Sequence, residues 1–309
     1  MTEGFELGWW GVPLAVLAGA IRASTPFLFV SLGECLTEKS GRINLGLEGT
    51  LVMGAMTGYG ISYLTGNPWL GVVMAGVSGM MLGAIHGVIC GLRRVNDIAV
   101  GIALMVFGTG LAFYLGKPFI QPKAPILPNI SMGWWSDYPQ VRAALEINVL
   151  FVVGIALVLV LSWLLNATRW GLVIRCVGDS VETARALGLN VNLVRLLCTM
   201  AGGFLAGIGG SFLSLSYPGS WSEGLSSGQG LMAVALVIFA QWNPVRCFYA
   251  SLLFGGAGAL GSALQSVGIT NAYYLFNAAP YVLTLLIMIV TCSPRTSLTG
   301  VPQELSVNK

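Results

Sequence analysis

Charged residues are scarce in this chain of 309 residues: they make up 9%, whereas hydrophobic residues make up 55%. An ordinary soluble domain carries about 25% charged residues, so this composition excludes that class and indicates a protein in lipid. Segments of about 10 residues that alternate apolar and polar, typical of a membrane β-barrel, are also lacking. The apolar runs are continuous and long, and they predict transmembrane helices.

The chain also lacks the sequence motifs of catalysis. No Gly-rich loop ends in Lys followed by Ser or Thr, and no grouping of Ser, His and Asp or of metal ligands stands out. Six cysteines stand singly, without the paired spacing of a zinc site or a disulfide framework. No basic residue precedes Arg22, so a cleavable signal peptide is not indicated. We therefore expect no enzyme activity, no metal, no cofactor and no nucleic-acid partner for this chain.

The apolar runs predict an all-α, polytopic membrane protein with about nine transmembrane helices, within a range of roughly eight to ten. It is one transmembrane domain over residues 1–309. The predicted spans are 11–33, 43–64, 68–92, 97–116, 146–166, 194–216, 226–241, 246–269 and 276–292.

The basic residues predict the orientation of the spans. With the C-terminus in the cytoplasm, that side receives eleven of the fifteen basic residues: Lys39, Arg42, Arg93, Arg94, Arg169, Arg175, Arg185, Arg195, Arg246, Arg295 and Lys309. The positive-inside rule favours this arrangement. It makes 117–143 a periplasmic loop, which five prolines prevent from being one helix, 169–195 a cytoplasmic loop and 293–309 a cytoplasmic tail.

Two halves of the chain share spaced features that predict an inverted repeat. Asn67-Pro68 opens the third span as Asn243-Pro244 opens the eighth, and Gly79 aligns with Gly255 at the same offset. Gly-rich polar stretches at 46–49 and 227–230 precede the second and seventh spans. Because one unpaired span lies between the halves, the second half would be inverted, as in many transporters. Coincidence of common turn residues is the alternative.

Four polar residues inside the spans are candidates for the substrate pathway, because polar groups in lipid are costly and tend to be functional. They are Asn44, Glu48, His86 and Gln229. Glu48 and Gln229 occupy similar places in the repeat. Pairing of Glu48 with Arg42 or Lys39 is an equally open interpretation, and His86 also fits an interhelical hydrogen bond. Among the acidic residues, we expect only Glu48 to come close to the description of an intramembrane acid.

The cytoplasmic loop contains a predicted short helix. Ser180 can cap a helix that runs to Leu187, with Glu182 in its first turn and Gly188 as its stop. Residues 178–191 (GDSVETARALGLNV) resemble the coupling loop of bacterial ABC importer permeases of the ribose, nucleoside and branched-chain amino acid superfamily. Residues 40–49 (SGRINLGLEG) and 230–244 (GLMAVALVIFAQWNP) are similar to its nucleoside, or simple-sugar, branch.

The resemblance implies a type II-like importer permease that moves a nucleoside or related small polar solute across the bacterial inner membrane. Its implied partners are an ATPase subunit with two nucleotide cassettes that binds ATP and Mg, a second permease in a heterodimer, a periplasmic or lipid-anchored substrate-binding protein, and membrane lipid. The residues expected to couple to the ATPase are Gly178, Asp179, Glu182, Ala184, Arg185 and Gly188.

Other transport classes remain as alternatives. The same importer class carrying a simple sugar is one, because Met105 stands where nucleoside-type relatives often carry Asn. A proton-coupled secondary transporter also has inverted repeats, but it requires essential intramembrane acids and gives the cytoplasmic helix no purpose. A channel would need a charged ring or a carbonyl filter, and neither has a signature here.

Overall fold

The computed structural model describes residues 11–92, 94–120, 122–133, 138, 141–142, 145–216, 218–265, 278–291 and 301–307. Its helices are α1 (Gly11–Lys39), α2 (Leu47–Thr65), α3 (Pro68–Cys90), α4 (Asp97–Gly116), α5 (Val149–Ala167), α6 (Arg169–Asp179), α7 (Val181–Ala186), α8 (Val191–Leu215), α9 (Gln229–Phe239), α10 (Pro244–Gln265), α11 (Ala279–Thr291) and α12 (Gln303–Val307). Most of the predicted tail, 293–300 and 308–309, lies outside the described residues.

The predicted spans correspond to helices, but not all of these are full-length. Among the described residues, six helices are long and apolar enough to cross a membrane: α1, α3, α4, α5, α8 and α10. Helices α2, α9 and α11 lie at the other three predicted spans, with 19, 11 and 13 residues. The chain is therefore the predicted all-α, polytopic membrane protein.

Local sequence explains most helix ends. Asn67, Asn96, Asn148 and Asn190 each cap the helix that follows by accepting a backbone N–H hydrogen bond, and Gly66, with φ of 73°, ends α2. The first predicted span ended too early. Helix α1 contains Pro26 and still continues to Lys39. We call the end of the bundle that carries Lys39 and Arg195 the inner end, and the opposite end the outer end.

Helices α1 and α8 form the centre of the bundle. They run antiparallel, since Pro26 lies opposite Gly209 and Gly33 lies opposite Gly202. A Cβ atom on Gly202 would lie only 2.8 Å from the Gly33 carbonyl oxygen, and one on Gly33 only 2.6 Å from that of Gly202. Small residues allow this close backbone approach, which is how helices associate where lipid gives no hydrophobic drive.

The packing around this central pair follows the predicted inverted repeat. Helix α3 packs on α8, where Gly79 lies against Gly203 and Gly207. Helix α10 packs on α1 in the same way, where Gly255 lies against the backbone of Ala20 and Ser24. The contact of α3 with α8 thus corresponds to the contact of α10 with α1. Because α1 and α8 run antiparallel, the two halves of the chain are related as an inverted repeat.

The outer end carries a structure that the sequence analysis did not predict. Strands β1 (Asn129–Ser131) and β2 (Glu146–Asn148) form an antiparallel ribbon in which Ile130 pairs with Ile147. The Tyr59 and Ser62 hydroxyls in α2 each donate a 2.8 Å hydrogen bond to a proline carbonyl of the segment that precedes β1. Residues 146–148 therefore belong to the ribbon, and α5 begins at Val149.

Candidate functional site

Glu48, a predicted pathway residue, joins the beginnings of two helices. It lies in the first turn of α2 and is only 8% exposed. Its carboxylate accepts hydrogen bonds from the Ser226 hydroxyl at 2.5 Å, the Gly228 N–H at 3.1 Å and the Gly230 N–H at 2.6 Å. A carboxylate bonded to two backbone N–H groups is a strong arrangement, because charge-assisted hydrogen bonds are about twice as strong as neutral ones. Glu48 thereby holds the start of α9.

Glycines make this contact possible. A Cβ atom on Gly230 would lie 2.6 Å from the Glu48 Cα atom, and one on Gly49 would lie 2.6 Å from the Met105 carbonyl oxygen. Gly228 has a φ of 82°, a conformation that favours glycine. The starts of α2 and α9 and the middle of α4 therefore converge on Glu48.

Helix α9 is shorter than the predicted span 226–241. With 11 residues it is about 16 Å long, roughly half of an apolar bilayer core. The residues before it turn through positive φ values at Gly224, Ser227 and Gly228. Non-helical backbone at membrane depth is tolerated only where protein buries it or a cavity lies beside it. Glu48 satisfies part of that backbone.

Gln229, predicted only to occupy a place in the repeat similar to that of Glu48, lies beside the Glu48 contact. Its backbone N–H donates to the Ser226 carbonyl at 2.9 Å. Its side-chain Oε1 is buried, and no described residue donates a hydrogen bond to it. Buried polar atoms normally have partners, and none of the residues that the structure describes supplies one to this oxygen.

The other two pathway candidates have separate surroundings. Asn44 is buried, with its N–H bonded to Glu34 Oε1 at 2.8 Å and its Oδ1 bonded to the Gly46 N–H at 3.0 Å. It therefore shapes the turn before α2. His86 is fully buried in α3, with Nε2 3.5 Å from the Cys90 sulfur, and Nδ1 without a described partner. Glu48 was also interpreted as an ion-pair partner of Arg42 or Lys39. Arg42 is not that partner, because it forms an ion pair with Asp97 at 2.5 Å.

Two buried acids at the inner end were missed by the sequence analysis. Glu34 and Glu38 are 0% and 2% exposed, and they share one face of α1 because they are four residues apart. The Trp242 indole N–H donates to Glu38. The expectation that Glu48 alone approaches an intramembrane acid is therefore wrong. It failed because the predicted span stopped at residue 33; the four-residue spacing was the signal that would have found the pair.

The segment predicted to be cytoplasmic folds as two helices joined at Ser180. Helix α6 was not predicted, whereas α7 is the predicted short helix. The Ser180 hydroxyl accepts from the Thr183 N–H at 3.2 Å and so caps α7. Gly188, with φ of 77°, ends it, and the Leu189 N–H bonds to the Ala184 carbonyl at 3.0 Å. These are the cap and the stop that the sequence predicted.

The six predicted coupling residues divide into two groups. Ala184 is fully buried with Val177 and Val191, and Gly178 is buried against the inner end of α1 near Gly41. Both therefore serve packing within the chain. The exposed group consists of Asp179, Glu182, Arg185 and Gly188. Beside them, Leu187 is 66% exposed, so α7 presents an apolar side chain surrounded by charged ones.

Comparison with known proteins identifies the family. Residues 16–292 match the family described as branched-chain amino acid transport system, permease component. The chain is 34% identical, over 82% of its length and 79% of the relative, to a putative glucose ABC transporter permease of Haloferax volcanii. It is 29% identical to a nucleoside ABC transporter permease of Lactococcus lactis, over 88% and 90% of the two chains. Identity is also 29% to a guanosine ABC transporter permease of Bacillus subtilis, over 85% and 87%.

The matched region covers the central pair, both repeats, the Glu48 contact and α7. Permeases of this family are multi-pass inner-membrane proteins, not enzymes, and they work with ATPase and substrate-binding components. This chain belongs to the permease family of branched-chain amino acid transport systems and is a membrane-spanning permease subunit of an ABC importer.

Proposed function

We propose that this permease carries a nucleoside or a related small polar solute into the cell and that α7 is its contact with a separate ATPase subunit. The observation that carries the second part is the division of α7 into two sides. Ala184 fixes one side to the bundle, while Glu182, Arg185 and Leu187 face away from it. Exposed charged side chains around an accessible apolar one can give such a contact its electrostatic complementarity and register.

The surroundings of α7 supply a route for the coupling. Val191 begins α8 and packs on Ala184, and α8 lies against α1, α2 and α3. Gly178 packs on the inner end of α1. A displacement of α7 by the ATPase would therefore act on both central helices together, and packed helices respond by shifting as units.

The solute class is proposed from the relatives and from the chemistry beside Glu48. The relatives are named for glucose, a nucleoside and guanosine, which are uncharged and rich in hydrogen-bonding groups. We propose the Gln229 side-chain oxygen, to which no described residue donates, as an acceptor for such a solute. Glu48 already makes three hydrogen bonds, so we assign it to holding the segment 226–230 in place. The simple-sugar alternative is favoured by the relative with 34% identity.

The complete transporter would contain further subunits. We propose one ATPase subunit with two nucleotide cassettes, which binds ATP and Mg, a second and different permease, and a periplasmic or lipid-anchored binding protein. The binding protein would determine most of the affinity for the solute. Weak contacts in the permease follow, because a tight membrane site would retain what is delivered.

Charge reversal at Arg185 tests the contact. In the complex co-expressed with its ATPase, Arg185→Glu should abolish uptake and weaken co-purification of the ATPase, with membrane insertion unchanged. Arg246→Glu is the matched control, since Arg246 is also exposed at the inner end but lies outside α7. If the Arg185→Glu complex co-purifies with its ATPase and still hydrolyses ATP in response to loaded binding protein, the contact proposed for α7 is wrong.

Uptake of labelled guanosine and labelled glucose by the same complex separates the two solute classes. Guanosine uptake that unlabelled glucose does not reduce is expected. Glucose uptake without guanosine uptake would favour the sugar alternative.

A further inference from the structure

The last described residues of the chain fold back onto the inner end of the bundle. Residues 301–307 include the short helix α12, in which Glu304 lies in the first turn. Pro302 is buried, and Val301 and Leu305 pack against the hydrophobic core. This segment is therefore attached to the bundle by apolar contacts, and Glu304 is brought to a defined place.

Glu304 contacts the beginning of α7. One carboxylate oxygen, Oε1, accepts a hydrogen bond from the Val181 N–H at 3.2 Å. Val181 is the first residue of α7, and its N–H is among those that a helix cannot satisfy from within itself. Ser180 caps the Thr183 N–H, so the start of α7 receives one hydrogen bond from its own cap and another from the tail.

The second carboxylate oxygen links the same residue to the central helices. Glu304 Oε2 forms an ion pair with Arg195 Nη2 at 3.5 Å, where the two side chains are only 30% and 12% exposed. Arg195, in α8, also donates from Nε to the Ser40 carbonyl beside the end of α1 at 3.0 Å. Gly41, with φ of 83°, leaves room for the group, since a Cβ atom there would lie 2.8 Å from Arg195 Nη2.

We propose that Glu304 is a positioning residue that fixes α7 to the central helix pair, so that movement of α7 is passed to α1 and α8. The proposal rests on the assignment of α7 as the ATPase contact. Helices as short as α7, with six residues, are not stable alone, and their orientation depends on such contacts. The tail therefore acts in energy coupling although it lies far along the sequence from α7.

Two substitutions at Glu304 test the proposal in the complete complex reconstituted into liposomes. Glu304→Ala removes both contacts, whereas Glu304→Gln keeps an oxygen that can accept from the Val181 N–H and loses the charge. We expect Glu304→Ala to lower uptake about fivefold or more, given the strength of hydrogen bonds to charged groups, and to raise the ATP hydrolysed per solute imported. Glu304→Gln should lie between Glu304→Ala and the parent. Glu223→Gln, at an exposed acid of the loop before α9, is the control.

Hydrogen exchange of the peptide that contains residues 178–188 supplies a readout independent of transport. Exchange at the start of α7 should be faster in Glu304→Ala than in the parent complex. Unchanged exchange would overturn the proposal, and so would faster exchange with an unchanged ratio of ATP to solute. If Glu304→Ala reduces the amount of folded complex, Glu304→Gln, which has nearly the same shape, is judged by the same criteria.

The Arg185→Glu complex, measured in parallel, separates this proposal from the one on which it rests. Normal transport by Arg185→Glu would show that α7 is not the ATPase contact. Loss of transport in Arg185→Glu together with parental coupling in Glu304→Ala would overturn the role of Glu304 alone.

Discussion

At the scale of single residues, buried acids in this permease act on the backbone and on other side chains of the chain itself. Glu48 bonds to Ser226, Gly228 and Gly230, and Glu38 accepts from Trp242. Each acid connects segments that are distant in sequence. Removing these acids should therefore disorder the structure around the transport path. Which substitutions are tolerated depends on whether the new side chain still places an acceptor where the carboxylate oxygens lie.

Substitution of Glu48 should separate charge from hydrogen-bonding capacity. In Glu48→Gln the amide NH₂ must face at least one backbone N–H, so at least one of three hydrogen bonds is lost. Glu48→Leu loses all of them. Hydrogen bonds to buried charged groups contribute about 1.5 to 3 kcal/mol each. We expect uptake to fall severalfold in Glu48→Gln and to background in Glu48→Leu.

Uptake of both Glu48 variants is measured with ATP maintained, with and without a protonophore. Equal uptake by the parent and both variants would show that transport does not need Glu48. Complete loss in Glu48→Gln, with parental uptake sensitive to the protonophore, would instead indicate proton coupling.

Position 38 should tolerate an amide side chain in place of Glu38 but not a hydrocarbon one. The oxygen of Glu38→Gln can still accept from the Trp242 indole N–H, whereas Glu38→Leu leaves that donor buried and unpaired. An unpaired buried donor costs about 1 to 3 kcal/mol. The melting temperature of the purified protein in detergent should fall clearly in Glu38→Leu and little in Glu38→Gln. The same loss in both variants would mean that the carboxylate charge, and not the acceptor, is required.

At the scale of elements, the short helix α9 depends on glycine for its position. It begins where Gly230 touches the backbone of Glu48, and the segment before it is not helical. By contrast, α4 begins and ends where the sequence predicts, because Asn96 caps it and Lys117-Pro118 follows it. The starts of α2 and α9 therefore meet only if the close approach at Gly230 is preserved.

Gly230→Ala should displace α9 from α2. The new Cβ atom would lie 2.6 Å from the Glu48 Cα atom, a distance that requires one helix to move. Gly110→Ala is the matched control, since Gly110 lies in α4 with nothing within 4 Å of the added atom. We expect Gly230→Ala to lose most uptake and Gly110→Ala to keep it. Equal uptake by the two variants would show that the contact between α2 and α9 is not needed for transport.

At the scale of the whole molecule, two inverted halves pack around the antiparallel pair α1 and α8. The end that carries α6, α7 and α12 also holds Lys39, Arg42 and Arg195, as the positive-inside rule predicts for a cytoplasmic end. The outer end holds the β ribbon. The proposed coupling surface and the proposed side of substrate delivery thus lie at opposite ends of the bundle.

Cysteine labelling tests this orientation. Thr183 and Lys123 are both exposed and lie at opposite ends of the bundle. In a variant without the six native cysteines, Thr183→Cys should react with an impermeant maleimide only after the membrane is opened, whereas Lys123→Cys should react in intact cells. Reaction of Thr183→Cys in intact cells would reverse the topology and exclude a cytoplasmic role for α7.

Composition and local pattern by themselves determined the class of this protein, because both lipid solvation and helix capping act on short stretches of chain. The low charge, the long apolar runs, the Asn-Pro repeat and the motif at 178–191 predicted the helices, the inverted repeat, the short helix α7 and the permease family. The roles assigned to Asn44, His86 and the coupling residues remain predictions.

Tertiary structure alone decided which polar residues meet. The partners of Glu48 lie about 180 residues away in the chain, Trp242 reaches Glu38, and Glu304 reaches Val181 and Arg195. Burial of Gly178 and Ala184 was also decided there. No local pattern encodes these contacts, because a buried polar group is satisfied by whichever donor or acceptor the packing brings to it, and that depends on how all the helices approach one another.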